Sequence, residues 1–314
     1  MAVKTEFSSD DLRGILANYD LGDYQDATAF SDGAVQTNLL VQTTKGKFAL
    51  RYYEERSKEA ILFEVHLIDY LTKHQYPCPA ILSNKQGALL SHFNGRPVVF
   101  FEYVEGRHIE HLNADQKRQI IQQAAELQRI TQDYQPVHAG SRLNYTPEGC
   151  FNRAKEEADK LNTANAWAKL VWLETELSNL QLPQTLPRGI CHSDYHHTNI
   201  LFRDGEFVAL LDFDDANYTY STFDLVNLID YWAWPHDGTF MPDAAREIAE
   251  TYNQHRSLSD VEKLHLFDVH KIQIFFDSIW FMGRGDVSDF YEKSKIDYLD
   301  DIGRERYCRL LFGE

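Results

Sequence analysis

The sequence predicts an α+β fold in two lobes. A small N-terminal lobe, residues 1–102, should hold an antiparallel sheet and one main helix, and a larger, mostly helical lobe should fill residues 103–314. Three observations carry this expectation. Up to Tyr103 the apolar residues fall in short runs broken by Asp32-Gly33, Lys45-Gly46 and Asn94-Gly95, which read as tight turns. From Asn113 onward apolar residues recur at helical spacing. Between the two regimes lies Glu102-Tyr103-Val104-Glu105-Gly106, where the pattern changes and a domain boundary is expected.

Ser8-Ser9-Asp10-Asp11 supplies a helix cap and negative charge at the positive end of a helix dipole, with Leu12, Ile15, Leu16 and Tyr19 as its apolar stripe. Asp20–Phe30, Asn38–Thr43 and Lys47–Tyr53 read as strands. A helix over roughly Ser57–His74 follows and carries Glu64 close to its apolar stripe. A carboxylate there is costly without a cationic partner, and Arg51 on the preceding strand is the candidate. Pro77-Cys78-Pro79 forces an extended exit. Further strands are expected around Ala88–Phe93 and Arg96–Tyr103.

In the second lobe Asn113 caps a helix reaching Tyr134, with Ile120, Ile121, Ala124, Leu127 and Ile130 on one buried face. More helix is expected between Cys150 and Leu180, ended by Leu182-Pro183 to Pro187. Tyr218–Ser221 reads as a loop and Thr222–Trp234 as an apolar, aromatic helix containing Asp224, a residue of structural rather than catalytic character. Met241–His255 and Asp260–Met282 read as helices.

Composition narrows the function. The chain has 314 residues, 43% hydrophobic and 25% charged, which suits an ordinary globular enzyme with a sizeable core. No apolar run approaches the roughly 18 residues that cross a bilayer, and MAVKTEFSSDD has no signal-peptide core. Cys78, Cys150, Cys191 and Cys308 are scattered without pairing or metal spacing, as expected of reduced thiols in a cytoplasm. The net charge of −17 works against nucleic acid or anionic membrane as a partner, because phosphate binding needs excess Lys and Arg.

The most informative stretch is RGICHSDYHHTNILFRDGEFVALLDFDDA, from Arg188 to Ala216. Two apolar runs, Ile200–Phe202 and Phe207–Leu211, flank Asp204-Gly205 and predict a β-hairpin. A hairpin returns its ends to one place, so Asn199 and Asp212 should lie side by side with Asp194 close by. The spacing His192-x-Asp194-x-x-x-x-Asn199, hairpin, Asp212 repeats the catalytic loop of phosphoryl-transfer enzymes. There one Asp accepts the hydroxyl proton, and an Asn with a second Asp holds magnesium through hard oxygen ligands. A zinc site from Cys191, Asp194, His196 and His197 is an open alternative by ligand type.

With His192 two residues before Asp194 and His196 two after it, the chain resembles the aminoglycoside phosphotransferase and choline kinase superfamily from about residue 19 to 235. The resemblance implies a protein-kinase-like form of the two-lobed fold, ATP and Mg2+ as cofactors, and a small-molecule hydroxylated substrate. It implies Asp194 as catalytic base, His192 as the brace of its loop, and Asn199 and Asp212 as metal ligands. Arg51, paired with Glu64, would contact the α- and β-phosphates. Gly33, Gln36 and Thr37 would belong to the loop over the phosphates, and Glu102 and Val104 to a hinge that reads adenine through backbone groups. Asp194, His196 and Asp214 face the acceptor in this reading, with Asp214 and Asp215 as candidates for a second metal or for a substrate ammonium.

The N-terminal third is also similar to type II homoserine kinases, in YDLG, DGAVQTNLLVQTTKGKFAL, TKHQYPCPAIL and NGRPVVFFEYVEG. This implies homoserine, or a related amino alcohol, as acceptor. The chain departs from those enzymes at His197-Thr198, where they carry Arg-Asp, and at Phe213-Asp214-Asp215-Ala216, where they carry Phe-Tyr-Phe-Ala. Choline-like or aminoglycoside acceptors, a protein Ser/Thr acceptor, a zinc-dependent hydrolase and a nucleotide-binding module without turnover are the alternatives. No DFG and APE triplets frame an activation loop.

Overall fold

The computed structural model describes residues 5–30, 36–235, 238–288 and 290–313. The chain forms two compact units, one of Met1–Leu112, Gln135–Ser141 and His197–Asp214, the other of Asn113–Tyr134, Arg142–His196 and Asp215–Glu314.

The first unit opens with α1 (Ser9–Leu16), whose Ser8 cap and Asp11 close a reciprocal capping box. Strands β1 (Tyr24–Ala29), β2 (Thr37–Thr43) and β3 (Gly46–Tyr52) precede α2 (Lys58–Lys73), capped by Ser57. Then come β4 (Ile81–Leu82), β5 (Ser91–Phe93) and β6 (Arg96–Glu102). Together they form an antiparallel sheet in the order β1-β2-β3-β6-β4, with β5 also on β6. The turn expected at Asp32-Gly33 lies outside the described residues. Asn94 and Gly95 both take positive φ, as a two-residue hairpin turn requires.

Strand periodicity sorts side chains between the two faces of this sheet. Leu39, Val41, Leu50, Tyr52, Val98 and Phe100 pack with Leu12, Ile15 and Leu16 of the first helix and with Tyr19 just beyond it. Arg51, between Leu50 and Tyr52, must therefore face the other way. That side carries α2, whose Glu64 meets it.

In the second unit α3 (Ala114–Ile130) starts on an Asn113–Gln116 capping box. The helix expected between Cys150 and Leu180 is two, α4 (Pro147–Leu161) and α5 (Ala164–Ser178), because Asn162 turns into the left-handed region between them. Next is β7 (Arg188–Cys191). The chain then returns to the first unit as the predicted hairpin, β8 (Ile200–Arg203) and β9 (Glu206–Leu210), turned by Asp204 and Gly205 at positive φ. Tyr218–Ser221 is not a loop: β10 (Asn217–Tyr220) pairs with β7. Helices α6 (Phe223–Ala233), α7 (Pro242–His255), α8 (Asp260–Trp280) and α9 (Lys293–Phe312) complete the unit. No described helix is long and apolar enough to cross a membrane.

Candidate active site

In the first unit the candidate residues converge on Arg51. Its Nη1 donates to Glu64 Oε1 at 2.8 Å, its Nε donates to Asn38 Oδ1 at 3.1 Å, and its Nη2 lies 3.0 Å from Asp212 Oδ1. Tyr53 donates its hydroxyl to Glu64 Oε2 at 3.0 Å. Glu64 is 1% exposed and Arg51 13%, whereas Asp212 keeps 41% of its side chain in solvent. Burial alone would make the guanidinium less basic, but Asp212 and Glu64 more than reverse this and hold it well above its ordinary value. Arg51 is thus a fixed cation with one buried and one accessible carboxylate. Asn38, its register partner on β2, carried no sequence signal.

The hairpin sets the metal-type oxygens. Asn199 ends a 3-10 turn, His197–Asn199, and is buried. Leu211 donates its N–H to the Asn199 carbonyl at 2.7 Å, closing the base of the hairpin, and the next residue is Asp212. Asp212 has φ 61°, a left-handed conformation unusual outside Gly, Asn and Asp. Two residues on, both carboxylate oxygens of Asp214 accept from Arg56, from Nε at 3.0 and 3.1 Å and from Nη2 at 2.7 Å. Arg56 and this contact were not expected from sequence.

The nucleotide-side candidates are distributed differently. Gly33 lies outside the described residues. The Gln36 Oε1 accepts from Glu54 N–H at 2.8 Å, and the Thr37 hydroxyl donates to Glu54 Oε1 at 2.7 Å, so both side chains are engaged with Glu54. Glu102 ends β6, exposed, with its N–H given to the Ala80 carbonyl at 2.9 Å. Val104 follows outside regular structure, half-buried. Arg107 then exchanges backbone hydrogen bonds with Phe202 at 2.9 and 3.0 Å, and His108 Nδ1 lies 3.0 Å from the Ile200 carbonyl. A Cβ on Gly106 would sit 2.9 Å from Leu201 Cβ, so glycine there lets the segment reach β8.

In the second unit the loop after β7 carries His192, Asp194 and His196. Asp224, in the first turn of α6, accepts from His192 N–H and from Ser193 N–H, both at 2.9 Å. Asn227, one turn on, accepts from Tyr195 N–H at 3.3 Å. The buried His192 ring turns Nδ1 toward the Asp194 N–H at 3.3 Å. Ser193 has φ 69°, so the loop is tied on both sides of a left-handed residue. Burial pushes the Asp224 carboxyl up to about 6, against the pull of the two backbone donors and His192. The His196 ring lies 5.6 Å from the Tyr231 ring.

No sequence pattern marks the charges grouped around α6, α8 and α9. Lys295 Nζ contacts Asp230 at 2.8 and 2.9 Å and Glu292 at 3.0 Å, and His270 lies 3.4 Å from Asp230. Asp277, on α8, has its carboxyl pushed up to about 8, by burial first and then by repulsion from Asp230, Glu292 and Asp194, with Lys295 opposing. Carboxylates outnumber the cation here. The zinc alternative finds a poor ligand in Cys191: its thiol is buried, donates to the Tyr220 carbonyl at 3.3 Å, and is pushed well above its ordinary value by burial. Among the described residues no three His, Cys, Asp or Glu side chains converge as a metal site.

The chain is similar to known kinases in sequence and in fold. The chain is 30% identical to a homoserine kinase of Afipia carboxidovorans over 269 residues, covering 85% of this chain and 81% of that one. It is 29% identical to a homoserine kinase of Caulobacter sp. (strain K31) over 267 residues, covering 84% and 82%. Among solved structures an amicoumacin kinase superposes with a TM-score of 0.61 at 18% identity over 95% of each chain, which identifies a kinase-like fold. The stretch that holds Arg51, Glu64, Asp194, Asn199 and Asp212 lies inside residues 26–260, which match the phosphotransferase enzyme family, and to that family the chain belongs.

Proposed function

We propose that this phosphotransferase moves the γ-phosphoryl group of ATP to the hydroxyl of a hydroxy amino acid, with homoserine the leading acceptor, in the cytoplasm. One observation carries the reading: Arg51 is pinned between buried Glu64 and accessible Asp212 at the base of a hairpin that also bears Asn199. Phosphoryl transfer needs alignment and charge neutralisation more than covalent help. Residues 1–102 would bind the nucleotide, and residues 103–314 would supply the catalytic base and the acceptor contacts.

The donor set fits magnesium, since the Asn199 amide oxygen and the Asp212 carboxylate are hard ligands and one or two from protein suffice. When bound, the metal neutralises phosphate charge. Arg51 would hold the α- and β-phosphates as a fixed cation, and the backbone around Glu102 and Val104 would face the base. Asp194 would orient the acceptor hydroxyl and take its proton as the new O–P bond forms and ADP leaves. His192 would keep the loop in shape, and His196 would lie on the acceptor side. The excess of carboxylates over cations around Asp230, Glu292 and Asp277 suits an acceptor that brings an ammonium group. Four cysteines with free thiols support the compartment.

The test is ADP release by the purified protein with MgATP and a panel of hydroxylated amino acids and amino alcohols. Homoserine should drive release, and Asp194→Asn should lower kcat by roughly 10²–10⁴-fold while nucleotide binding stays near wild type. Turnover unaffected by Asp194→Asn would overturn the role assigned to it, and release driven by another alcohol alone would overturn the substrate.

A further inference from the structure

We infer that Arg56 and Asp214 form a latch that positions Asp212 for the metal, so that Asp214 binds neither a second metal nor the acceptor. This rests on the reading of Asp212 as a metal ligand. Arg51 and Arg56 flank the end of β3, and the carboxylates they hold, Asp212 and Asp214, stand two residues apart after β9. The two pairs differ in kind. Arg51 Nη2 reaches one oxygen of the half-buried Asp212 carboxylate while its Nη1 is committed to Glu64. Arg56 forks onto both oxygens of an Asp214 side chain that is 10% exposed.

A two-point guanidinium–carboxylate contact fixes orientation as well as distance, which a single contact does not. Between these anchors Asp212 sits at φ 61°. Aspartate tolerates that conformation better than most residues, but its carboxylate keeps one direction only if the chain on both sides is held. On the upstream side the Leu211 N–H is held by the Asn199 carbonyl and the Leu210 N–H by the Pro77 carbonyl, at 2.7 and 2.9 Å. Downstream the Arg56–Asp214 fork supplies the matching hold. A metal drawing Asp212 away from Arg51 would then move one carboxylate without releasing the loop. With its oxygens taken by Arg56, Asp214 is a positioning residue, and so is Arg56.

The experiment is a magnesium titration, read both as turnover and as the rise in Tm that magnesium gives the nucleotide-bound protein, for Arg56→Ala, Arg56→Lys and Asp214→Asn, with the acceptor KM measured at saturating magnesium and Asp212→Asn as reference. The latch predicts a half-saturating magnesium concentration raised about tenfold in Arg56→Ala and Asp214→Asn, recovery of most of kcat at high magnesium, and an acceptor KM within about twofold of wild type. Arg56→Lys should fall between, since a lysine keeps the charge but not the fork, and it carries the test if Arg56→Ala does not fold. Should the acceptor KM rise tenfold with the magnesium requirement unchanged, Asp214 serves the substrate and the latch is wrong. An unchanged titration in all three variants, with Asp212→Asn inactive, also overturns it. Full activity in Asp212→Asn would instead remove the metal-ligand reading on which the latch stands.

Discussion

Asp224 accepts two backbone N–H groups where water is excluded, so burial and hydrogen bonding compete for its proton. Its folded carboxyl titrates near 6 against an ordinary 3.8, and the sign follows. The stability it contributes is full below about pH 3.8 and is lost as pH rises through 6, while the loop it holds is best held by the ionised form. Activity and stability should therefore move in opposite directions across this window. We expect kcat to fall on the acid side with a midpoint near pH 6, and Asp224→Asn to flatten that limb while lowering kcat by about 10–100-fold through a misplaced base. A pH–rate profile paired with urea unfolding at pH 4.5 and 7 checks both. Asp224 was legible in the sequence as a structural charge in an apolar helix. Asn227 was not, because a polar residue one turn along a buried helix has no pattern until the loop it serves is seen.

At the scale of elements, the pairing of Arg107 with Phe202 joins the segment after β6 to the hairpin. Gly106 sets how close they come. Adding a methyl would bring it 2.9 Å from Leu201 Cβ and 3.3 Å from the Phe202 carbonyl, neither of which is a flexible tip. Gly106→Ala should cost about 1–3 kcal/mol, read as a lower urea midpoint together with a lower kcat. Gly205→Ala, at φ +90° with open space around it, is the control, losing stability through backbone strain alone and leaving chemistry intact. The helices with clear caps, α1, α2 and α3, could be read from sequence to within a few residues. Strands β7 and β10, four residues each, could not, since so short a run has no measurable period. Helix α9 escaped notice for another reason: Gly303, at φ 70° and ψ 163°, interrupts it and breaks the apolar spacing.

For the whole molecule, a ligand that binds only the folded state stabilises it by mass action. Nucleotide with magnesium at a hundred times its Kd should add about 2.7 kcal/mol, seen as a rise of about 4 °C in Tm for a chain of this length. In Asp212→Asn the magnesium-dependent part of that rise should disappear. A chain with a net charge of −17 has to meet a polyphosphate through local cations, and in the proposed function Arg51, held by buried Glu64, is that cation. By itself the sequence determined the change from strands to helices along the chain, the hairpin and the spacing of Asp194, Asn199 and Asp212, because turn chemistry, caps and short motifs are local and leave their mark within a few residues. Only the tertiary structure decided which charges meet: Arg51 with Asp212, Arg56 with Asp214, Lys295 with Asp230. Partners separated by tens to hundreds of residues are chosen by packing, and a single sequence holds no record of that choice.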